Sequence, residues 1–146
     1  MKEKEIINIL LANQLKVTPQ RIAILDVAYN LNNHPTTENI IENIKNKFPH
    51  IASGTIYKTL ETFSDRGIIK KVTTTCDIMR YDTVQKKHHH LYCSDSDRIE
   101  DFFDETLDKI IEDHFRKKNI PDFKIKDIRV QIEGKFTDTE KAKKIK

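Results

Sequence analysis

Apolar residues recur along this chain first at helical spacing and then at strand spacing. Ile6, Ile7, Leu10 and Leu11 predict an amphipathic helix over residues 3 to 13. Thr18-Pro19 reads as an N-cap followed by proline at the first helical position, where the missing N–H breaks no helical bond. The helix it opens extends to about Asn30 and turns Ile22, Leu25 and Ala28 or Tyr29 inward. A turn at Asn32-Asn33-His34-Pro35 precedes a cap at Thr36 and a third helix carrying Ile40, Ile41 and Ile44, ending near Phe48-Pro49. Ser53 reads as the N-cap of a fourth helix, with Ile56, Leu60 and Phe63 on its inner side and Gly67 as its stop. Ile68 to Thr75 is rich in β-branched residues, and Met79 to Asp82 returns antiparallel to it after a turn near Cys76-Asp77. Three helices, a capped fourth and a β-hairpin form the order of a winged helix-turn-helix domain.

The second half reads differently. His88 to Cys93 and Arg98 to Phe103 predict two strands joined by a turn over Ser94 to Asp97. Asp104 caps a helix carrying Leu107, Ile110, Ile111 and Phe115, and Pro121 breaks it. Phe123 to Glu133 alternates in two phases, which predicts a strand with a bulge near Asp127. About 60 residues of ββαβ form a small core, and pairing with a twin would both enlarge it and cover the sheet edge. The expected class is α+β: a winged-helix DNA-binding domain at 1–83, a hinge at 84–87, and an α/β (ββαβ) dimerisation domain at 88–146.

Composition limits what such a protein binds. The chain has 146 residues, 37% of them hydrophobic and 34% charged, with a net charge of +3. Up to Thr83 there are 11 Lys+Arg against 9 Asp+Glu, and beyond it 15 against 14. Neither half carries excess charge, so DNA affinity must come from placed residues rather than a bulk field. Two cysteines without a CxxC make no disulfide framework, which fits a reducing compartment. The apolar stretch Ile6 to Ala12 is short and broken by Asn8, so neither a secretory signal nor a membrane span is expected. A cytoplasmic protein with no membrane partner is the expectation.

The candidate chemistry lies around the junction of the halves. His88 and His90 share one side of an extended segment, because side-chain direction there has period two. Asp82 lies six residues earlier, and His34 and the Glu100-Asp101 pair are further candidates. Imidazoles and carboxylates without thiolates suit iron(II), manganese(II) or zinc(II) better than calcium. The competing reading is an exposed His-rich loop. His89 points the other way, toward solvent or behind the ligands; His50 and His114 read as surface residues. Cys76 reads as incidental and Cys93 as a small buried hydrophobe. On the fourth helix Tyr57 and Lys58 begin an exposed face, and Ser53 and Thr55 stand where a helix N-terminus attracts phosphate.

In order and spacing these motifs resemble the ferric uptake regulator family of bacterial metal-dependent repressors. Thr18-Pro19-Gln20-Arg21, His34-Pro35-Thr36, Ser53 to Leu60, Tyr81-Asp82 and His88 to Cys93 carry the resemblance, which extends from about residue 16 to 133. It implies a regulatory metal site at His34, Asp82, His88, His90 and Asp101, holding Fe(II) or Mn(II), with Zn(II) able to enter in vitro. It further implies that Tyr57 contacts a base, that Lys16 enters the minor groove, and that a homodimer reads an AT-rich inverted repeat in double-stranded DNA. Asp rather than Glu at 101 resembles the peroxide-sensing (PerR-like) members, in which iron-catalysed oxidation of His34 or His88 relieves repression. The alternative is an iron-responsive repressor of iron uptake genes. Lys58 differs from both subtypes, leaving operator preference open. Ser96 stands in place of the second structural cysteine and the C-terminal cysteine pair is absent, so no four-cysteine structural zinc is expected. Lys87, His89, Thr106 and Phe123 do not reproduce the family's additional sensory site. No catalytic residue is assigned. A small metallohydrolase, which would cleave phosphoesters, and a metal-buffering module, which would leave no DNA footprint, are the readings from other classes.

Overall fold

The structure is a computed structural model that describes residues 2–31, 34–74, 78–84 and 86–138. It divides into two units, Met1–Gln85 and Lys86–Lys146.

The first unit contains α1 (Glu3–Ala12), α2 (Pro19–Asn30), α3 (Thr37–Lys47), α4 (Ser53–Asp65) and the antiparallel pair β1 (Lys70–Val72) and β2 (Arg80–Asp82). Its helices begin where side chains can satisfy the first free amides. Thr18 accepts from the Arg21 N–H at 3.2 Å, with Pro19 in the first turn of α2. At α3, Thr36 and Asn39 form a reciprocal capping box. Ser53 is not a cap: Ala52 occupies that position without a side-chain bond, and Ser53 is already helical. The Ala52 carbonyl accepts from the Thr55 and Ile56 amides at 3.0 and 3.2 Å. Gly67 stops the helix at φ +73°, a conformation that favours glycine.

One apolar cluster joins these elements, with Ile6, Leu10, Ile24, Leu25, Ala28, Ile40, Ile44, Ile56, Leu60 and Phe63 at its centre. The predicted stripes face inward, as at Leu25, Ala28, Ile40, Ile44, Ile56, Leu60 and Phe63, with local departures. Leu11 faces outward, and α2 buries Ile24 and Val27 where Ile22 was expected. The helical period was legible, but the phase depends on which neighbour lies opposite. The turn expected near Cys76-Asp77 lies outside the described residues.

The second unit contains β3 (His89–Cys93), β4 (Arg98–Phe102), α5 (Glu105–Lys117) and β5 (Gln131–Glu133), with sheet order β4-β3-β5. β3 and β4 are antiparallel, pairing His90 with Asp101; β5 runs parallel to β3 and pairs Leu91 with Ile132. Asp104 caps α5 by accepting from the Leu107 N–H at 2.9 Å. The strand expected over Phe123–Glu133 forms for three residues only. Side chains take the backbone groups a longer strand would use: the Ile128 carbonyl accepts from Lys87 Nζ, and the Val130 N–H donates to the His89 ring. Despite its apolar stripe, α5 has no buried residue, and Ile110 is 61% exposed. Among the described residues no helix is long and apolar enough to cross a membrane.

Candidate metal centre and nucleic-acid face

The three consecutive imidazoles sit on β3 and its entry, and the pleat sends the outer two to one face. All three are buried. His88 and His90 stack edge-on, with ring centroids 4.9 Å apart and planes at 85°. Asp101, opposite His90 in the β3–β4 register, puts Oδ1 3.4 Å from His88 Nε2 and 3.7 Å from His90 Nε2. One ligand atom from each of these three residues lies within 4.8 Å of the others. Glu100 is turned elsewhere and pairs with buried Arg98, whose guanidinium also lies over the Phe136 ring at 3.8 Å. Of the two adjacent carboxylates, Asp101 is the one that faces the imidazoles.

A hydrogen bond fixes the tautomer of His88. Its Nδ1 lies 2.7 Å from the Lys86 carbonyl, which can only accept, so Nδ1 carries the proton. In the neutral ring this leaves Nε2, the nitrogen facing Asp101, with the lone pair that a metal-ligating histidine uses. The Phe103 ring lies 5.6 Å from the His88 ring, with Lys86 Nζ 5.3 Å from the Phe103 centroid.

The first unit brings together His34 and Asp82, each with one ligand atom within 4.8 Å of the other's. Both are buried. Asp82 ends β2 and accepts from the Val84 N–H at 2.9 Å, an Asx-type turn that orients the carboxylate. His34 sits at φ +57°, in the left-handed region. Its carbonyl accepts from Arg80 Nη1 at 3.0 Å. The sequence singled out both candidate ligands but missed Arg80, because the contact crosses 46 positions along the chain.

His89 faces away from its neighbours, as alternation requires, but it does not reach solvent. The Val130 N–H donates to its Nδ1 at 3.0 Å, so the ring proton is on Nε2, 2.5 Å from Asp108 Oδ1. It thus fastens β3 to α5 and to the approach to β5. Cys93 is a buried free thiol, as the sequence suggested, and hydrogen bonds from the Ser96 side chain and backbone lower its pKa.

On α4, Tyr57 is 50% exposed and Lys58 is exposed, whereas Ile56, Thr59 and Leu60 are buried. Tyr57 is therefore not part of the core. Ser53 and Thr55 are half-buried in the uncapped first turn. Lys16 is exposed in the loop before α2, its carbonyl held by Arg21 Nη1 at 2.8 Å. These five residues lie on the first unit, with the polar and charged ends available to a phosphate or base.

A profile of the Ferric uptake regulator family matches residues 12–133. The chain is 31% identical over 131 residues to the peroxide operon regulator of Bacillus subtilis, covering 90% of this chain and 88% of the relative. It is 32% identical over 120 residues to the peroxide-responsive repressor PerR of Staphylococcus epidermidis, covering 82% and 78%. Among solved structures, the ferric uptake regulator from Pseudomonas aeruginosa with manganese superposes with a TM-score of 0.78 at 18% identity, covering 91% of this chain and 98% of that one. That likeness carries the fold alone.

Proposed function

The chain belongs to the ferric uptake regulator family, whose members are transcription regulators and not enzymes, and from that premise we propose that it is a metal-dependent, DNA-binding repressor of a peroxide response. The observation that carries the metal part is the tautomer lock on His88: a buried imidazole whose Nε2 lone pair is turned toward Asp101 and His90. The peroxide part rests on the names of the relatives and on Asp101, rather than Glu100, facing the imidazoles.

In this reading one ion is held jointly by His34 and Asp82 from the first unit and His88, His90 and Asp101 from the second. Three imidazoles and two carboxylates fit Fe(II) or Mn(II), with Zn(II) able to compete. Bound Fe(II) would supply the one-electron redox chemistry that activates peroxide, which Mn(II) would withhold, while the two electrons consumed overall would come from the imidazole. The chain supplies the ligands, the fixed proton on His88 Nδ1 and, at His34 or His88, the imidazole that gains one oxygen while the other leaves as water. An oxidised imidazole is a poorer ligand, so binding between the halves weakens. The first unit serves as a winged helix-turn-helix with α4 as its recognition helix. Tyr57 and Lys58 read bases; Ser53, Thr55 and Lys16 engage the backbone and minor groove of an AT-rich inverted repeat. The second unit pairs with its twin and senses the metal, and residues 84–87 act as the hinge. The metal then acts by preferring one hinge state over the other.

A gel-shift titration with Mn(II), Fe(II) or chelator, before and after peroxide, tests this. DNA binding should require metal, fall with salt by about 0.9 log units per log unit of salt for each contacted phosphate, and be lost to peroxide with Fe(II) but not with Mn(II). Equal affinity with and without chelator would remove the switch. Metal-dependent binding that survives peroxide with Fe(II) would move the protein to the iron-responsive reading. Phosphoesterase activity without operator binding would favour the hydrolase.

A further inference from the structure

Strand β2 ends in Asp82, and two residues earlier it holds the segment that carries His34. A side-chain bond and a backbone bridge make this hold. Arg80 Nη1 donates to the His34 carbonyl at 3.0 Å, and Arg80 pairs with Thr36 in an antiparallel bridge, one bond of which is the Tyr81 N–H donating to the Pro35 carbonyl at 2.9 Å. His34 needs such a hold. Its φ of +57° places Cβ against its own backbone, a conformation that residues other than glycine adopt at a cost and keep when the surroundings impose it. The capping box at Thr36 secures the start of α3 independently of Arg80.

We propose that Arg80 is a positioning residue for the metal centre: by gripping the His34 carbonyl it maintains the left-handed turn that keeps the His34 imidazole beside the Asp82 carboxylate. The inference rests on the reading of His34 and Asp82 as ligands. In this role Arg80 acts through the backbone of His34. Its grip makes the two ligands of the first unit a single preformed pair, so that the ion does not have to impose the strained turn when it binds. Arginine suits the task because the guanidinium is planar, permanently charged and directional, so a carbonyl held by it is fixed in orientation as well as distance. Of these contacts only the guanidinium bond is made by a side chain, so a single substitution at Arg80 removes it and leaves the backbone bridge in place.

The test uses the full-length protein and Mn(II), followed by electron paramagnetic resonance, with Co(II) absorption as a probe of ligand arrangement. Arg80→Met keeps the aliphatic stem and removes the donors. It should weaken Mn(II) binding about ten- to hundredfold, the usual effect of losing a group that orients a ligand, and should alter the Co(II) spectrum. The melting curve of the metal-free protein should stay close to that of the wild type. Arg80→Lys retains a donor and should recover most of the affinity, and it serves alone if Arg80→Met does not fold. A double-mutant cycle supplies the decisive arm. His34→Gly tolerates the positive φ and lacks the imidazole; in that background Arg80→Met should cost nothing further. Wild-type affinity in Arg80→Met, equal loss in Arg80→Met and Arg80→Lys, or an undiminished loss in the His34→Gly background would overturn the proposal. A wild-type chain that binds no Mn(II) would overturn the metal reading itself, and this inference with it.

Discussion

His88 holds its proton on Nδ1 against the Lys86 carbonyl, whereas His89 has the opposite tautomer, accepting from Val130 at Nδ1 and facing Asp108 with Nε2. The two rings therefore differ in what they can do although they are adjacent on the chain. Alternation along the strand implies that they face opposite ways, but not that His89 is buried. Its partners lie 19 and 41 positions away and no local period announces them. Replacing His89 by Ala strands a buried amide and loosens a carboxylate, so urea unfolding should show a loss of about 2–4 kcal/mol without abolishing Mn(II) binding. Asp101→Glu tests the peroxide reading at the same scale. The longer carboxylate changes how the centre presents itself, so mass spectrometry of Fe(II)-loaded protein after mild peroxide should find less oxygen added at His34 and His88. Metal-dependent DNA binding should persist.

At the scale of elements, the first unit was the more legible, and its caps explain why. Thr18-Pro19 and Thr36 announce helix starts through bonds made within three residues, which a sequence displays directly. Thr36→Ala should cost about 1 kcal/mol of stability, measured by thermal melting, and its effect should be separable from metal affinity if Arg80 alone sets the His34 turn. The segment before β5 was read as a strand because its side chains alternate. Alternation is a statement about side chains, however, and a strand needs free backbone groups. Lys87 and His89 take the Ile128 carbonyl and the Val130 N–H, so pairing begins only at Gln131. Ser53 differs from the expectation for a related reason: an uncapped start at Ala52 with a serine one position later has the sequence pattern of a cap, and only the backbone distinguishes the two.

At the scale of the whole molecule, members of this family work as dimers, and α5 carries the apolar stripe Leu107, Ile110, Ile111 and Phe115. On α5 none of these is buried, and Ile132 on β5 is exposed as well. If this face meets its twin, Ile110→Asp should shift the protein from dimer to monomer in sedimentation and weaken operator binding, while leaving the secondary structure of the first unit intact. An unaltered dimer would place the interface elsewhere. Cover for α5 that comes from a second copy has a consequence for the cell as well as for the fold. Pairing then contributes to the stability of the second unit, and each tenfold dilution of the protein removes up to about 1.4 kcal/mol per mole of dimer. The cellular abundance of the protein becomes an input to the switch alongside metal and peroxide: a scarce repressor would release its operators at milder stress than an abundant one.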